Sequence, residues 1–168
     1  MPGSDSTPAV PAVTVLNRQR RRRVSRRALV ALAASVARRL GVELEVGIHL
    51  VSAREMATVN WRFLQHEGST DVITFDHGST ASRLFGELFI SVEDAEVQAT
   101  EFGTNWSLEL ARYVIHGLLH LRGYEDLTPG PRREMKRLEG RLVRQEAVLA
   151  AALEVVPKRP VATRSRKQ

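Results

Sequence analysis

The run Tyr113-Val-Ile-His116-Gly-Leu-Leu-His120-Leu-Arg-Gly123-Tyr124-Glu125-Asp126 carries the clearest chemical pattern of this 168-residue chain. His116 and His120 stand four apart, so on a helix they project from one face and their imidazoles can share one metal ion. An HxxxH pair alone is weak evidence, because two structural histidines reach that spacing by chance. The continuation is stronger. Gly123, three residues after the second His, can end the helix in left-handed backbone and swing the residue three further on back toward the metal. Asp126 then becomes a third ligand, and three protein ligands with one open position is the arrangement of a catalytic zinc site rather than a structural one.

Composition sets the frame around that run. The hydrophobic content of 43% is ordinary for one compact domain. With no cysteine, a disulfide scaffold, a thiolate zinc finger and a cysteine nucleophile are excluded, so a metal must be held by nitrogen and oxygen. The net charge of +6 is unevenly placed. Residues 18–27 hold seven Arg and 158–168 five Lys/Arg, neither with an acid, whereas 28–157 has 13 basic and 18 acidic residues. Two basic segments on an acidic body favour a polyanionic partner.

Working outward, the coarse order is strand 12–17, helix 24–40, strand 42–51, helix 53–64, strands 71–75 and 84–91, a short helix ending near Gly103, helix 105–122, and a last helix from Pro131 to about Leu153. Ser52 with Glu55, and Ser91 with Asp94, are cap signals. Arg20 to Arg27 followed by Ala28–Ala37 has the outline of a secretory signal, but Leu29, Leu32, Val36 and Leu40 fall at helical spacing, which favours a helix of the domain. No run approaches a membrane span. The expected fold is α/β, a single mixed four-stranded sheet with about five helices over residues 12–155, flanked by a disordered extension (1–11) and a basic disordered tail (156–168).

The same His–Gly spacing occurs in metzincin proteases as HExxHxxGxxH, with Glu as general base; here that position is Gly117, which cannot move a proton. His116-Gly-Leu-Leu-His120-Leu-Arg-Gly123-Tyr124-Glu125-Asp126 instead resembles the HGxLHLxGYDH signature of the YbeY family of bacterial endoribonucleases. Val59-Asn60 with Phe63 resembles the family's LNxx[YF], Thr70–Phe75 its TDVLSF and Gly86–Ser91 its GDIxIS. Two positions depart from the pattern: Asp126 replaces the family's third histidine, and Leu64 stands where the family has an arginine implicated in activity. Arg62, two residues earlier, is a candidate replacement.

The resemblance implies a cytoplasmic, metal-dependent endoribonuclease that cuts single-stranded RNA. Its implied roles are maturing the 3′ end of 16S rRNA and checking ribosome quality, so its partners are rRNA and the small ribosomal subunit. His116, His120 and Asp126 would be both metal ligands and, through the metal, catalytic residues; the expected ion is Zn2+, or another divalent metal given the harder Asp oxygen. Arg112 and Arg122 are candidates for holding RNA, each with a solvated surface charge as its alternative reading. Asp71 and Thr74 are expected to line the cleft, and Val72, Ile73 and Phe75 to pack in the core. His66, His77 and His49 are expected at the surface, and Trp61 and Trp106 in packing roles. The alternative function is a ribosome-associated RNA-binding assembly factor with a mainly structural metal.

Overall fold

The computed structural model describes residues 10–156. The proposed extension and tail fall almost wholly outside them. Four strands, β1 (Ala12–Asn17), β2 (Glu43–Val51), β3 (Val72–Asp76) and β4 (Arg83–Ser91), form one sheet in the order β1-β2-β4-β3. β1, β2 and β4 are parallel, and β3 runs antiparallel along β4, with Thr74 opposite Leu88. The mixed α/β expectation therefore holds.

Among the described residues six α-helices surround the sheet: α1 (Arg26–Leu40), α2 (Ala53–Val59), α3 (Val92–Phe102), α4 (Trp106–Leu121), α5 (Pro129–Gln145) and α6 (Ala147–Ala151). The segment suggestive of a signal is α1, which buries Leu29, Leu32, Ala33 and Val36 completely. Ser25 caps its start and Gly41, at φ 66°, its end. α4 is the central helix of the core. Leu110, Val114, Ile115, Leu118 and Leu119 are fully buried, together with Leu84, Leu88 and Ile90 from β4. Two glycines allow this close packing. A Cβ on Gly117 would lie 2.7 Å from Leu88 Cδ2, and one on Gly86 would lie 2.2 Å from the Phe75 carbonyl oxygen. Gly117 thus faces the sheet, so a glutamate there would point into β4.

Four details depart from the sequence expectation. The helix from 53 does not stay α: after Val59 it continues as a π-turn over Asn60–Leu64 and stops at Gln65, with φ 57°. Buried Asn60 donates its amide to the Gly68 carbonyl at 3.0 Å, tying the following loop to this wider turn. The turn presents Trp61 outward, 55% exposed, rather than packing it; Trp106 is buried as expected. The last helix is two. It breaks at Glu146, whose buried carboxylate turns inward to accept from Ser35 Oγ at 2.8 Å and from Arg39.

Finally, His49 is buried, at 8% exposure. It does lie on the sheet face opposite the Leu44/Val46/Ile48/Leu50 set, but that face is not bare. The ring stacks on Phe89 with centroids 4.2 Å apart, and Nε2 lies 2.8 Å from Glu87 Oε1. Beside it Met56, Val51 and Ile73 form a small second core under α2, with Phe75 packed against it.

Candidate metal centre

The C-terminal end of α4 builds the site. Gly123 N–H donates to the His120 carbonyl at 2.9 Å and Tyr124 N–H to the Leu119 carbonyl at 3.0 Å, the paired bonds of a Schellman ending, with Gly123 at φ 99°. The turn reverses the chain, and Asp126 returns over the two histidines. His116, His120 and Asp126 each offer a ligand atom within 4.8 Å of the others. His116 Nε2 lies 2.9 Å from His120 Nε2, and the two nitrogens lie 3.5 and 3.8 Å from the Asp126 carboxylate oxygens.

The far side of each ring shows why this cluster suits a cation. His120 Nδ1 donates to the Tyr124 carbonyl at 3.0 Å, and His116 Nδ1 lies 2.8 Å from Glu139 Oε2. With both Nδ1 protons directed outward, two Nε2 lone pairs point at each other beside a carboxylate, an arrangement that is repulsive until a positive charge enters. Two imidazoles and one carboxylate with partners on their outer nitrogens fit a divalent ion such as zinc.

Glu139, from α5, was not singled out in the sequence. It is buried, accepts from His116 and also from Arg112 Nη1 at 3.2 Å. Burial alone would raise its pKa, but the bonds from His116 and Arg112 hold the carboxyl below the usual range. Burial likewise works against the His116 imidazolium, yet the Glu139 hydrogen bond and the carboxylates of Glu139, Asp126 and Asp71 raise its pKa. A signal for Glu139 existed: it falls within the buried Met135–Leu142–Val143 stripe of α5, where a lone acid needs a partner.

Two clefts meet at the cluster, each of about 610 Å³. His116 and Asp126 line the first with Asp71, Arg132, Lys136 and Glu139. His120 and Asp126 line the second with Leu64, Thr74, Tyr124 and Leu127. Asp71 and Thr74 therefore stand at the site, as expected, and Ile73 is buried. The three side chains stay reachable, 23%, 29% and 38% exposed for His116, His120 and Asp126.

The arginines fall differently. Arg112 lines the His116 cleft and is held there by Glu109 and Glu139. Arg122 lines another groove, with Arg39 and Arg141. Arg62 sits exposed on the π-turn, its guanidinium 5.6 Å from the Phe63 ring centroid, and lines neither cleft. Leu64, not Arg62, faces the histidines' cleft. His66 and His77 are exposed and outside the cluster; His77 pairs with Glu87 at 2.9 Å.

Known proteins give the same picture. The family model described as Endoribonuclease YbeY matches residues 14–146. An Endoribonuclease YbeY of Bacteroides thetaiotaomicron is 41% identical over 110 residues, covering 66% of this chain and 77% of the relative. One from Anaeromyxobacter dehalogenans is 38% identical over 130 residues, covering 76% and 67%. A solution structure of a Thermotoga maritima protein superposes with a TM-score of 0.60 at 25% identity, covering 88% of this chain and 99% of that one. Four motifs in order, the α4 histidine pair with its returning Asp126 and a match spanning nearly all the described residues place this chain in the YbeY endoribonuclease family.

Proposed function

We propose that this protein is a metal-dependent endoribonuclease that cuts single-stranded RNA, acting in the cytoplasm on rRNA, including the 3′ end of 16S rRNA, and on the small ribosomal subunit. The observation that carries the reading is the His116–His120–Asp126 cluster, its Nε2 lone pairs converging at the junction of two open clefts. A divalent ion held there, zinc by the donor set, supplies Lewis-acid polarisation of a phosphate oxygen and a water acidic enough to attack near neutral pH.

The chain's own residues do the rest. Glu139 and the Tyr124 carbonyl fix which nitrogen of each histidine faces the cleft. Arg132 and Lys136 place cationic charge in the His116 cleft, where it can hold a phosphate beside the scissile one. Leu64, Val72 and Leu127 give the His120 cleft an apolar wall suited to a base or ribose rather than a phosphate. The partial exposure of all three ligands favours a working site over a purely structural metal. A peptidase is disfavoured by packing as well as chemistry, since Gly117 abuts Leu88 and leaves no room for the missing base.

The test is cleavage of a 3′-extended 16S rRNA precursor by purified wild type, His116→Ala and Asp126→Ala, with bound metal measured on each. Loss of metal and cleavage together in the variants is the expected result. Equal cleavage by all three would overturn the assignment.

A further inference from the structure

We infer that α5 and the end of α4 form a second RNA-binding surface, a groove that takes the single strand flanking the cut. This rests on the nuclease reading above. α5 carries six basic residues against two acids, and one of those acids, Glu139, is turned inward to His116. Among the described residues Arg122, Arg137 and Arg141 have no ion-pair partner. The Arg-rich segment 18–27, by contrast, is partly neutralised: Arg18 pairs with Glu55, and Arg21 and Arg22 with Glu96. Arg20, Arg23, Arg26 and Arg27 of that segment are exposed and unpaired as well, so what singles out Arg122, Arg137 and Arg141 is their place in grooves that reach Tyr124 beside the site.

These cations line grooves that share Tyr124 with the His120 cleft. Arg122, Tyr124 and Arg141 line a groove of about 530 Å³ against the end of α1, and Tyr124, Arg137 and Arg141 line its smaller extension together with one acid, Glu134. Tyr124 also lines the His120 cleft, and its carbonyl holds the His120 ring. A strand leaving that cleft therefore passes the half-buried Tyr124 and meets three guanidinium groups. Arg137 and Arg141, four apart on the helix with Cβ atoms about 6 Å apart, present a pair of guanidinium forks on one face. Guanidinium forks bind phosphate in two-point fashion, and the tyrosine ring offers a surface for a base. An acidic protein segment would supply carboxylates but would have no reason to run on into a metal cleft built for phosphate.

The test compares the full-length zinc-loaded protein with Arg122→Ala/Arg137→Ala/Arg141→Ala and with a control triple, Arg26→Ala/Arg27→Ala/Arg54→Ala, which removes equal charge elsewhere on the surface. Binding is read by fluorescence anisotropy of 2′-O-methyl single strands, one of roughly 20 nucleotides and one of roughly 5, the shorter fitting the cleft alone. The groove triple should weaken the long strand about tenfold and flatten its log Kd against log salt slope by about 2, at about 0.7 per lost phosphate contact. The short strand and the control triple should behave as wild type. An unchanged long strand, or an equal loss in the control, would overturn the groove. Failure of wild type to cut unmodified RNA would instead count against the nuclease reading, so the two claims fail separately.

Discussion

The Glu139 carboxylate lies 2.8 Å from Nδ1 of His116, reaching from a helix that supplies none of the three proposed ligands. It fixes the ring so that Nε2 faces His120, and Arg112 holds the carboxylate in turn. Glu139 is thus a positioning residue. Glu139→Ala should weaken zinc binding by about 10- to 100-fold, the usual cost of losing such a partner. Glu139→Gln, which keeps a carbonyl acceptor, should fall between it and wild type. Calorimetric zinc titration of the three proteins checks this, with circular dichroism confirming that the variants fold.

The same pair sets a pH dependence. In the metal-free protein the His116 pKa is raised, so its stabilising contribution is complete below the ordinary histidine value and is lost as pH rises through the raised one. The Glu139 pKa is lowered, so its contribution is complete above the ordinary carboxylate value and is lost as pH falls through the lowered one. Together they favour the metal-free fold between about pH 4.5 and 6.5. Zinc competes with the His116 proton, so the rise in Tm on adding zinc should be small at pH 6 and grow toward pH 8. Melting curves with and without zinc across that range measure it, and a Tm gain independent of pH would contradict the pairing.

Leu64 lines the His120 cleft at the position where the family carries an arginine. Leu64 is 45% exposed, so a longer side chain can be accommodated without opening the core. Leu64→Arg should place a cation beside the bound strand and lower KM for single-stranded RNA several-fold, on the order of one phosphate contact. Arg62→Ala, on the outward side of the π-turn, should leave KM unchanged. Steady-state cleavage of one RNA by both variants separates the two positions.

Two glycines set how closely β4 is packed, against α4 on one side and β3 on the other. Gly117→Ala brings a methyl within 2.7 Å of the fully buried Leu88, and should cost about 1–3 kcal/mol as that side chain is forced aside. Gly86→Ala meets the Phe75 carbonyl at 2.2 Å, a backbone atom that cannot rotate away, and should destabilise more. Urea denaturation of both variants gives the order.

Much of this was legible in the sequence because it rests on local chemistry. Ser52 and Ser91 cap their helices as the spacing required, and Gly123 ends α4 in left-handed backbone, which is what returns Asp126 to the histidines. What was hidden depends on distant partners. His49 is buried because Phe89 and Glu87 of the neighbouring strand meet it, and no alternation within β2 encodes that. Glu139 and Tyr124 act through His116 and His120 from beyond the helix that holds them. The π-turn at Asn60–Leu64 accompanies a bond from Asn60 to the Gly68 carbonyl, a loop contact invisible to helical periodicity. Charge depends on distant partners in the same way: Glu55 and Glu96 occupy three of the seven arginines of residues 18–27, which the composition of that segment does not reveal.

The claim that His116, His120 and Asp126 hold the ion on which RNA cleavage depends is tested most directly by titrating metal-stripped protein with zinc while following cleavage of single-stranded rRNA precursor. Activity should be at background without metal, rise in proportion to zinc up to one ion per chain, and stay at background throughout for His116→Ala. Cleavage that persists in the stripped wild type, or that zinc restores equally in His116→Ala, would contradict the account.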